Sequence, residues 1–118
     1  MRGFILTERK STTTESVLEF THYKVPQGMA WRLDLITGIN YNGADGTMYL
    51  IVKSGGTLSY LAPSITLSSS RATQYTYPTV LYESDEIYVY VTGLAAAADI
   101  EFSVRGLEVE QDKVFYRM

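Results

Sequence analysis

The sequence predicts an all-β protein built as a β-sandwich or a β-barrel. Three observations indicate this fold. Apolar and polar residues alternate along several short segments, as they do in half-buried strands. Turn residues separate these segments at intervals of roughly 8 to 12 residues. No window of 11 or more residues shows the 3.6-residue periodicity of an amphipathic helix; the run of alanines at 95–98 favours helix locally but is too short to stand alone.

The chain has the size and composition of one folded domain. It has 118 residues, of which 46% are hydrophobic and 19% are charged. This length is enough for one domain with a real core and too short for two ordinary ones. We therefore predict a single domain over 1–118, with a β-sandwich core at 17–110 and terminal arms at 1–16 and 111–118.

The predicted strands follow from apolar alternation and from the turns that bound them. In the segment 30–41, Trp31, Leu33 and Leu35 alternate with polar residues, and Met48 begins a similar pattern. Turn residues punctuate the chain at 26–28, 42–46, 54–56, 62–63 and 83–85. The remaining candidates are 17–25, 57–62, 64–70, 73–82, 86–92 and 99–109, with a weaker one at 3–8.

The last strand changes phase at a glycine. Ile100, Phe102 and Val104 share one phase, whereas Leu107 and Val109 share the opposite one, with Gly106 between the two sets. A β-bulge at Gly106 would keep both sets facing the core. Alternatively, the strand leaves the sheet there and the second set is buried against something else.

The predicted core collects the inward-facing side chains of these strands. Alternating strand residues point to opposite faces, so one phase of each strand is assigned to the interior. The predicted core residues are Trp31, Leu33, Leu35, Leu50, Val52, Ile87, Val89, Val91, Ile100, Phe102 and Val104.

Two tyrosines lie on the face opposite to that core. In the strand 86–92, Ile87, Val89 and Val91 supply a complete inward face, so Tyr88 and Tyr90 must point outward. Tyrosine is enriched where another protein covers a surface. We therefore predict that Tyr88 and Tyr90 belong to a protein interface. The alternatives are that the chain's own loop or arm covers them, or that they are simply exposed.

Both ends of the chain are predicted to be extended arms. Residues 7–16 are polar, whereas 111–118 end in an aromatic cluster after a charged spacer. Apolar side chains near each end can dock on a neighbouring chain, or the C-terminal cluster can tuck back onto its own domain. The predicted docking residues are Phe4, Ile5, Leu6, Phe115 and Tyr116.

The residues offer little catalytic chemistry. His22 is the one histidine and the chain has no cysteine, which excludes a two-histidine metal site, a thiolate site and a disulfide framework. The acidic residues at 85–86 and 99–101 could form a carboxylate pair or a calcium site, although solvated charge is the simpler interpretation. We predict that the protein is not an enzyme and holds neither a metal nor a cofactor.

Charge and hydropathy argue against nucleic acid and membrane partners. The net charge of −3 gives no cluster of Lys and Arg for phosphate groups. No segment approaches the ~20 apolar residues that span a bilayer. The N-terminal apolar run of three residues is too short for a secretory signal, so we expect synthesis and folding in the cytosol.

The pattern over 17–110 resembles a known family. The turn residues Pro26 and Gly28, followed by the strand that contains Trp31, resemble the start of the corresponding strand in small jelly-roll proteins of virions. Residues 82–93 and 99–108 are similar to their closing pair of strands, with Ser84 where a glycine usually precedes the aspartate. The best-matching group is the decoration, or cement, proteins of tailed bacteriophage capsids.

That resemblance implies a function and a fold. Such proteins are jelly rolls that form knobs, often homotrimers, on the capsid and clamp neighbouring capsid subunits. It implies a virion structural protein, made in the host cytoplasm, with a capsid protein and further copies of itself as partners. A second class stays open, a carbohydrate- or receptor-binding module of a phage fibre or tail. Such a module would present exposed aromatic rings, whereas the alternation predicts that Trp31 is buried.

Overall fold

The protein is a sandwich of two antiparallel β-sheets. The computed structural model describes residues 2–12, 17–42, 45–60, 64–68, 70–76, 78–94 and 98–111. The elements of the chain bounded within these ranges are all strands. Its strands are β1 (Arg2–Thr12), β2 (Leu18–Glu19), β3 (Tyr23–Lys24), β4 (Met29–Asn42), β5 (Gly46–Ser54), β6 (Thr57–Tyr60), β7 (Ile65–Leu67), β8 (Arg71–Tyr75), β9 (Thr79–Leu81), β10 (Glu86–Thr92) and β11 (Ala98–Glu110).

The strand order is that of a jelly roll. Sheet A runs β1-β11-β4-β8, with β9 also on β4, and sheet B runs β2-β10-β5-β6, with β3 on β10 and β7 on β5. Each pair of short strands on a shared neighbour acts as one interrupted strand, which leaves eight in the described chain. Counted along the chain, the first of these eight strands pairs with the eighth, the second with the seventh, the third with the sixth and the fourth with the fifth. This is the pairing of a jelly roll, which consists of two Greek keys. The predicted fold class is confirmed.

One core fills the space between the sheets. Sheet B contributes the inward sides of β5 and β10, where Leu50, Ile87 and Val89 are almost fully buried. Sheet A contributes Phe102 of β11, whose ring lies edge-on to Phe20 at 4.9 Å between centroids.

The turn before β10 contains Ser84 at a φ of 70°, a backbone conformation that favours glycine. The family that the sequence resembles usually has a glycine at this position.

A bulge in β4 corrects the predicted core phase. Arg105 lies opposite Leu35 and Gly106 opposite Leu33, so Asp34 has no partner in the ladder. The extra residue reverses the alternation, and Ile36 is buried while Leu35 is only half-buried. The assignment of Leu35 to the core was wrong for this reason.

The same bulge explains why Gly106 is a glycine. A Cβ atom there would lie 2.2 Å from the carbonyl oxygen of Arg32 on the neighbouring strand. The bulge lies on β4, whereas β11 alternates without interruption from Ala98 to Glu108. Leu107 and Val109 therefore point outward, and the prediction that a bulge at Gly106 turns them into the core was wrong. The alternative was also wrong, because β11 stays paired with β4 as far as Glu110.

The N-terminal residues are part of the sandwich. Strand β1 pairs with β11 from Arg2↔Glu108 to Thr12↔Ala98 and forms one edge of sheet A. This pairing corrects the expectation of an N-terminal arm at 1–16 for the described residues 2–12. At the other end, the Gln111 amide donates to the Gly28 carbonyl oxygen. The predicted C-terminal arm otherwise lies at 112–118, outside the described residues.

Candidate protein-docking face

The outer surface of sheet B carries the predicted tyrosines. Along β10, Ile87, Val89 and Val91 are buried, whereas Tyr88 and Tyr90 are half-buried on the opposite face. This confirms the predicted phase of the strand. The two rings point away from the sandwich core, and neighbouring strands determine what lies beside them.

Strands β5 and β6 complete an aromatic surface. Tyr88 lies opposite Ile51 and Tyr90 opposite Tyr49, while Ile51 also lies opposite Tyr60 of β6. Residues directly opposite each other in an antiparallel pair share a face. We call this surface the tyrosine face; it consists of His22, Tyr49, Ile51, Tyr60, Tyr88 and Tyr90.

Ring contacts organise the tyrosine face into two groups. Tyr49 and Tyr90 stack at 4.8 Å between centroids and 17° between planes, and Tyr60 lies edge-on to Tyr49 at 5.7 Å. The hydroxyl oxygens of Tyr60 and Tyr90 are 3.1 Å apart and share a hydrogen bond. The second group is a stacked pair, His22 on Tyr88, at 3.8 Å and 9°. Aromatic pairs of this kind are worth roughly 0.5–1.5 kcal/mol beyond area burial.

The tyrosines of β10 stay neutral over a wide pH range. The hydrogen bond with Tyr60, followed by burial, raises the pKa of Tyr90 to about 12. Burial, followed by the nearby carboxylate of Glu19, raises the pKa of Tyr88. Tyr88 and Tyr90 therefore offer neutral hydroxyl groups at physiological pH, and these hydroxyls can both donate and accept hydrogen bonds.

The chain's own residues cover the tyrosine face in part. Ile51 points outward from sheet B and yet is only 4% exposed, so it forms the floor of a small outer cluster. Towards the edge of the sheet the cover ends, because Leu58 is 58% exposed and Tyr60 is 64% exposed. The cluster is thus covered near β10 and open near β6.

The predicted N-terminal docking residues divide between the two faces of β1. Phe4 lies 4.8 Å from Trp31 between ring centroids, and Phe4 and Leu6 both pack against the core. Ile5 is 56% exposed and lies opposite Arg105 on the outer face of sheet A. Of these three residues, Ile5 is thus the most exposed. The predicted docking residues Phe115 and Tyr116 lie outside the described residues.

A buried carboxylate fixes β1 to the domain, and sequence reasoning missed it. The indole Nε1–H of Trp31 donates to Glu108 Oε2 at 2.8 Å, and Arg2 Nη2 donates to Glu108 Oε1 at 2.6 Å. Glu108 continues the inward phase of β11, which was the available signal. Trp31 is 6% exposed. The expected burial of this ring is confirmed, which argues against its use as a platform for sugars.

Three of the remaining polar candidates, His22, Asp99 and Glu101, are engaged within the chain. His22 Nε2 lies 2.8 Å from Glu19 Oε1. Asp99 accepts two hydrogen bonds from the Arg9 guanidinium, which lowers the pKa of Asp99, and Glu101 accepts one from Tyr41 at 2.6 Å.

The described ranges contain neither a cluster of metal-ligating side chains nor a membrane-spanning helix. No group of three or more His, Cys, Asp or Glu residues there could hold a metal ion. Nor is any helix in those ranges long and apolar enough to cross a membrane.

Comparisons with known proteins show the fold. No protein-family model and no curated protein matches the chain. A chain in the structure of infectious bursal disease virus, Gx strain, is similar with a TM-score of 0.52 and 6% identity, over 93% of this chain and 32% of that one. This chain thus spans about a third of the viral chain's length.

Two further solved structures have lower TM-scores. A chain of Bacillus endospore appendages, described as disulfide-linked pili, gives 0.47 at 14% identity, over 93% of this chain and 91% of that one. A CBM4 structure gives 0.43 at 15% identity, over 91% and 84% of the two chains.

Proposed function

We propose that this chain is a non-enzymatic structural protein of a virus particle, located in the virion and attached to the outer surface of a capsid as a decoration or cement protein. The partner is a capsid protein, and the contact is made through the tyrosine face. The similarity of the jelly roll to a chain of infectious bursal disease virus supports a virion setting. The resemblance of residues 17–110 to cement proteins supports the more specific role.

The tyrosine face is the observation that carries this proposal. A lone exposed ring needs no explanation, whereas here aromatic side chains from three adjacent strands share one side of a sheet. The rings of this surface are uncharged, with the carboxylate of Glu19 beside them, and the hydroxyl groups can pair at the rim of a contact. Tyrosine combines a large contact area with a low conformational-entropy cost, which suits a protein-binding surface.

The paired interactions within the face also favour docking. Tyr49 and Tyr90 are already held by stacking and by the hydroxyl of Tyr60. Immobilising a flexible side chain on binding costs about 0.5–1.5 kcal/mol of binding free energy. Because these two rings are already held, a partner that covers them avoids much of this cost. Preorganisation of this kind is expected of a surface that binds a fixed lattice of capsid subunits.

A reattachment experiment tests the proposal. Particles of the virus that carries the gene are purified, stripped of this chain and mixed with purified wild-type protein or variants before sedimentation. The variant Tyr88→Ser with Tyr90→Ser should stay in the supernatant, because it removes two rings of the docking surface. It should still fold, since the main core lies on the other side of β10, although loss of the ring contacts should lower its stability by about 1–2 kcal/mol.

The matched control is Tyr41→Ser on the opposite sheet. Tyr41 is 40% exposed, donates to Glu101 and lies against Arg9, so its loss removes a comparable set of surface contacts. The control should sediment with the particles as the wild type does. Equal reattachment of the double variant and the control would overturn the docking role of the tyrosine face. Absence of the wild-type chain from native particles would overturn the virion assignment itself.

A further inference from the structure

Strand β6 forms one edge of sheet B among the described residues, with no described strand beyond it. It comprises Thr57–Tyr60, pairs with β5 and ends the order β2-β10-β5-β6. All four residues are exposed, including the large apolar side chains of Leu58 and Tyr60. An edge strand of this kind presents unpaired backbone groups that can accept a further strand.

The hairpin geometry determines which backbone groups face outward. Gly55 and Gly56 form a two-residue turn with φ values of 58° and 84°, the type I′ pattern that favours glycine. Ser54 and Thr57 flank this turn, so they exchange backbone hydrogen bonds, and the bonding residues alternate from there. Ser59 therefore bonds to β5, whereas the N–H and C=O groups of Leu58 and Tyr60 point away from it.

The edge lacks the charges that usually prevent strand addition. Native edge strands are commonly protected by charged side chains, by proline or by bulges. Strand β1, at an edge of sheet A, contains Arg2, Glu8, Arg9 and Lys10, and β3 and β8 contain Lys24 and Arg71. Strand β6 consists of Thr, Leu, Ser and Tyr.

We infer that β6 pairs antiparallel with the β6 strand of a second copy of this chain, about a twofold axis at Ser59. Leu58 of each copy then lies opposite Tyr60 of the other, and the outward groups of these residues form about four backbone hydrogen bonds. The same pairing puts an aliphatic side chain against an aromatic ring twice, which is a favourable cross-strand combination. No like charges meet across the axis.

The second copy fits this edge for a specific reason. An isologous contact requires a surface that complements itself, and the Leu58–Tyr60 pair satisfies this in both its hydrogen bonds and its side chains. Leu58 and Tyr60 lie on the same side of sheet B as the tyrosine face, so pairing joins the tyrosine faces of two copies into one. The contact is short compared with a standard interface of ~800 Å² per partner, so we expect a dimer that dissociates on dilution.

Sedimentation equilibrium over a range of concentrations tests the pairing. The wild-type chain of 13.2 kDa should approach twice that mass as its concentration rises. Leu58→Pro removes an outward N–H without removing a bond to β5, so it should weaken dimerisation at least about tenfold. The matched control Leu58→Ala retains the N–H and should weaken it less. A monomer at all concentrations, a trimer, or a Leu58→Pro variant that dimerises like Leu58→Ala would overturn the inference.

Amide hydrogen exchange on the wild-type chain provides a test that needs no variant. The amides of Leu58 and Tyr60 should become protected as concentration rises, whereas the amide of Ser59, which bonds to β5, should be protected throughout. If the amide exchange rates of Leu58 and Tyr60 did not change with protein concentration, the inference would also be overturned. Both tests are independent of the proposed attachment to a capsid, because they use the purified chain alone.

Discussion

Replacing Gly106 with alanine tests the bulge at which the phase of β4 changes. The new Cβ atom would lie 2.2 Å from the carbonyl oxygen of Arg32 and 3.0 Å from Cζ of Phe4. Real contacts of Cβ are longer than 3.0 Å, so the strands must separate by roughly 1 Å or distort. The Arg32 oxygen is a backbone atom held in a ladder, so it cannot move as a flexible side chain does. We expect a loss of ~2–4 kcal/mol.

Thermal unfolding monitored by circular dichroism measures this loss. At about 3–5 °C per kcal/mol for a chain of this size, Gly106→Ala should melt about 6–20 °C below the wild type. The control is Gly3→Ala on the adjacent strand, where the nearest atom to a new Cβ is the Gly106 oxygen at 3.9 Å. The control should melt within about 2–3 °C of the wild type. Equal melting temperatures for the two variants would refute the close approach of β4 to β11 at the bulge.

Two further predictions follow from the bulge and from the tyrosine face. Ile36→Ala should lower the free energy of unfolding, measured by urea denaturation, by ~2–5 kcal/mol, and Leu35→Ala should lower it by under about 1.5 kcal/mol. If Leu35→Ala were the more destabilising variant, β4 would alternate without a bulge. Tyr60→Phe should lower the pKa of Tyr90 from about 12 towards 10.0 in a phenolate absorbance titration. The raised pKa stabilises the fold fully below pH 10, and this contribution disappears as pH rises from about 10 to 12, so stability should fall less over that interval in Tyr60→Phe. An unchanged titration would contradict the hydroxyl contact.

Period-two alternation was reliable where a strand runs without interruption. In β10 the inward set and the two outward tyrosines were predicted correctly, because each residue simply faces opposite to its neighbour. In β4 the same reasoning failed after Leu33, because one extra residue at Asp34 reverses the phase. The phase change near Gly106 indicated a bulge, but a single sequence does not show which of two paired strands contains it.

The N-terminal strand shows why an edge can resemble an arm. Glu8 and Lys10 share the inward phase of Phe4 and Leu6, and charged residues in that phase argue against a strand at the core. Here they lie at the open side of the sandwich, where Glu8 accepts from the Thr21 amide at 2.8 Å and Lys10 donates to the Glu19 carbonyl oxygen at 2.7 Å. These partners belong to residues outside β1, so the alternation within β1 does not reveal them.

The composition of the tyrosine face depends on strand order. Sequence reasoning identified Tyr88 and Tyr90, because they follow from one strand. It did not identify Tyr49, Tyr60 or His22, since their positions depend on the order β10-β5-β6 and on the loop between β2 and β3. One alternative was that the chain itself covers Tyr88 and Tyr90. His22 stacks on Tyr88 and Tyr49 stacks on Tyr90, so the chain accounts for part of the burial of each ring.

A cryo-electron microscopy reconstruction of native particles tests the central claim most directly. The proposed function predicts density for this jelly roll on the outer surface of the capsid, with sheet B, and therefore Tyr88 and Tyr90, turned towards a capsid protein. Particles without such density, or a jelly roll attached through the outer face of sheet A with the tyrosine face in solvent, would contradict the account.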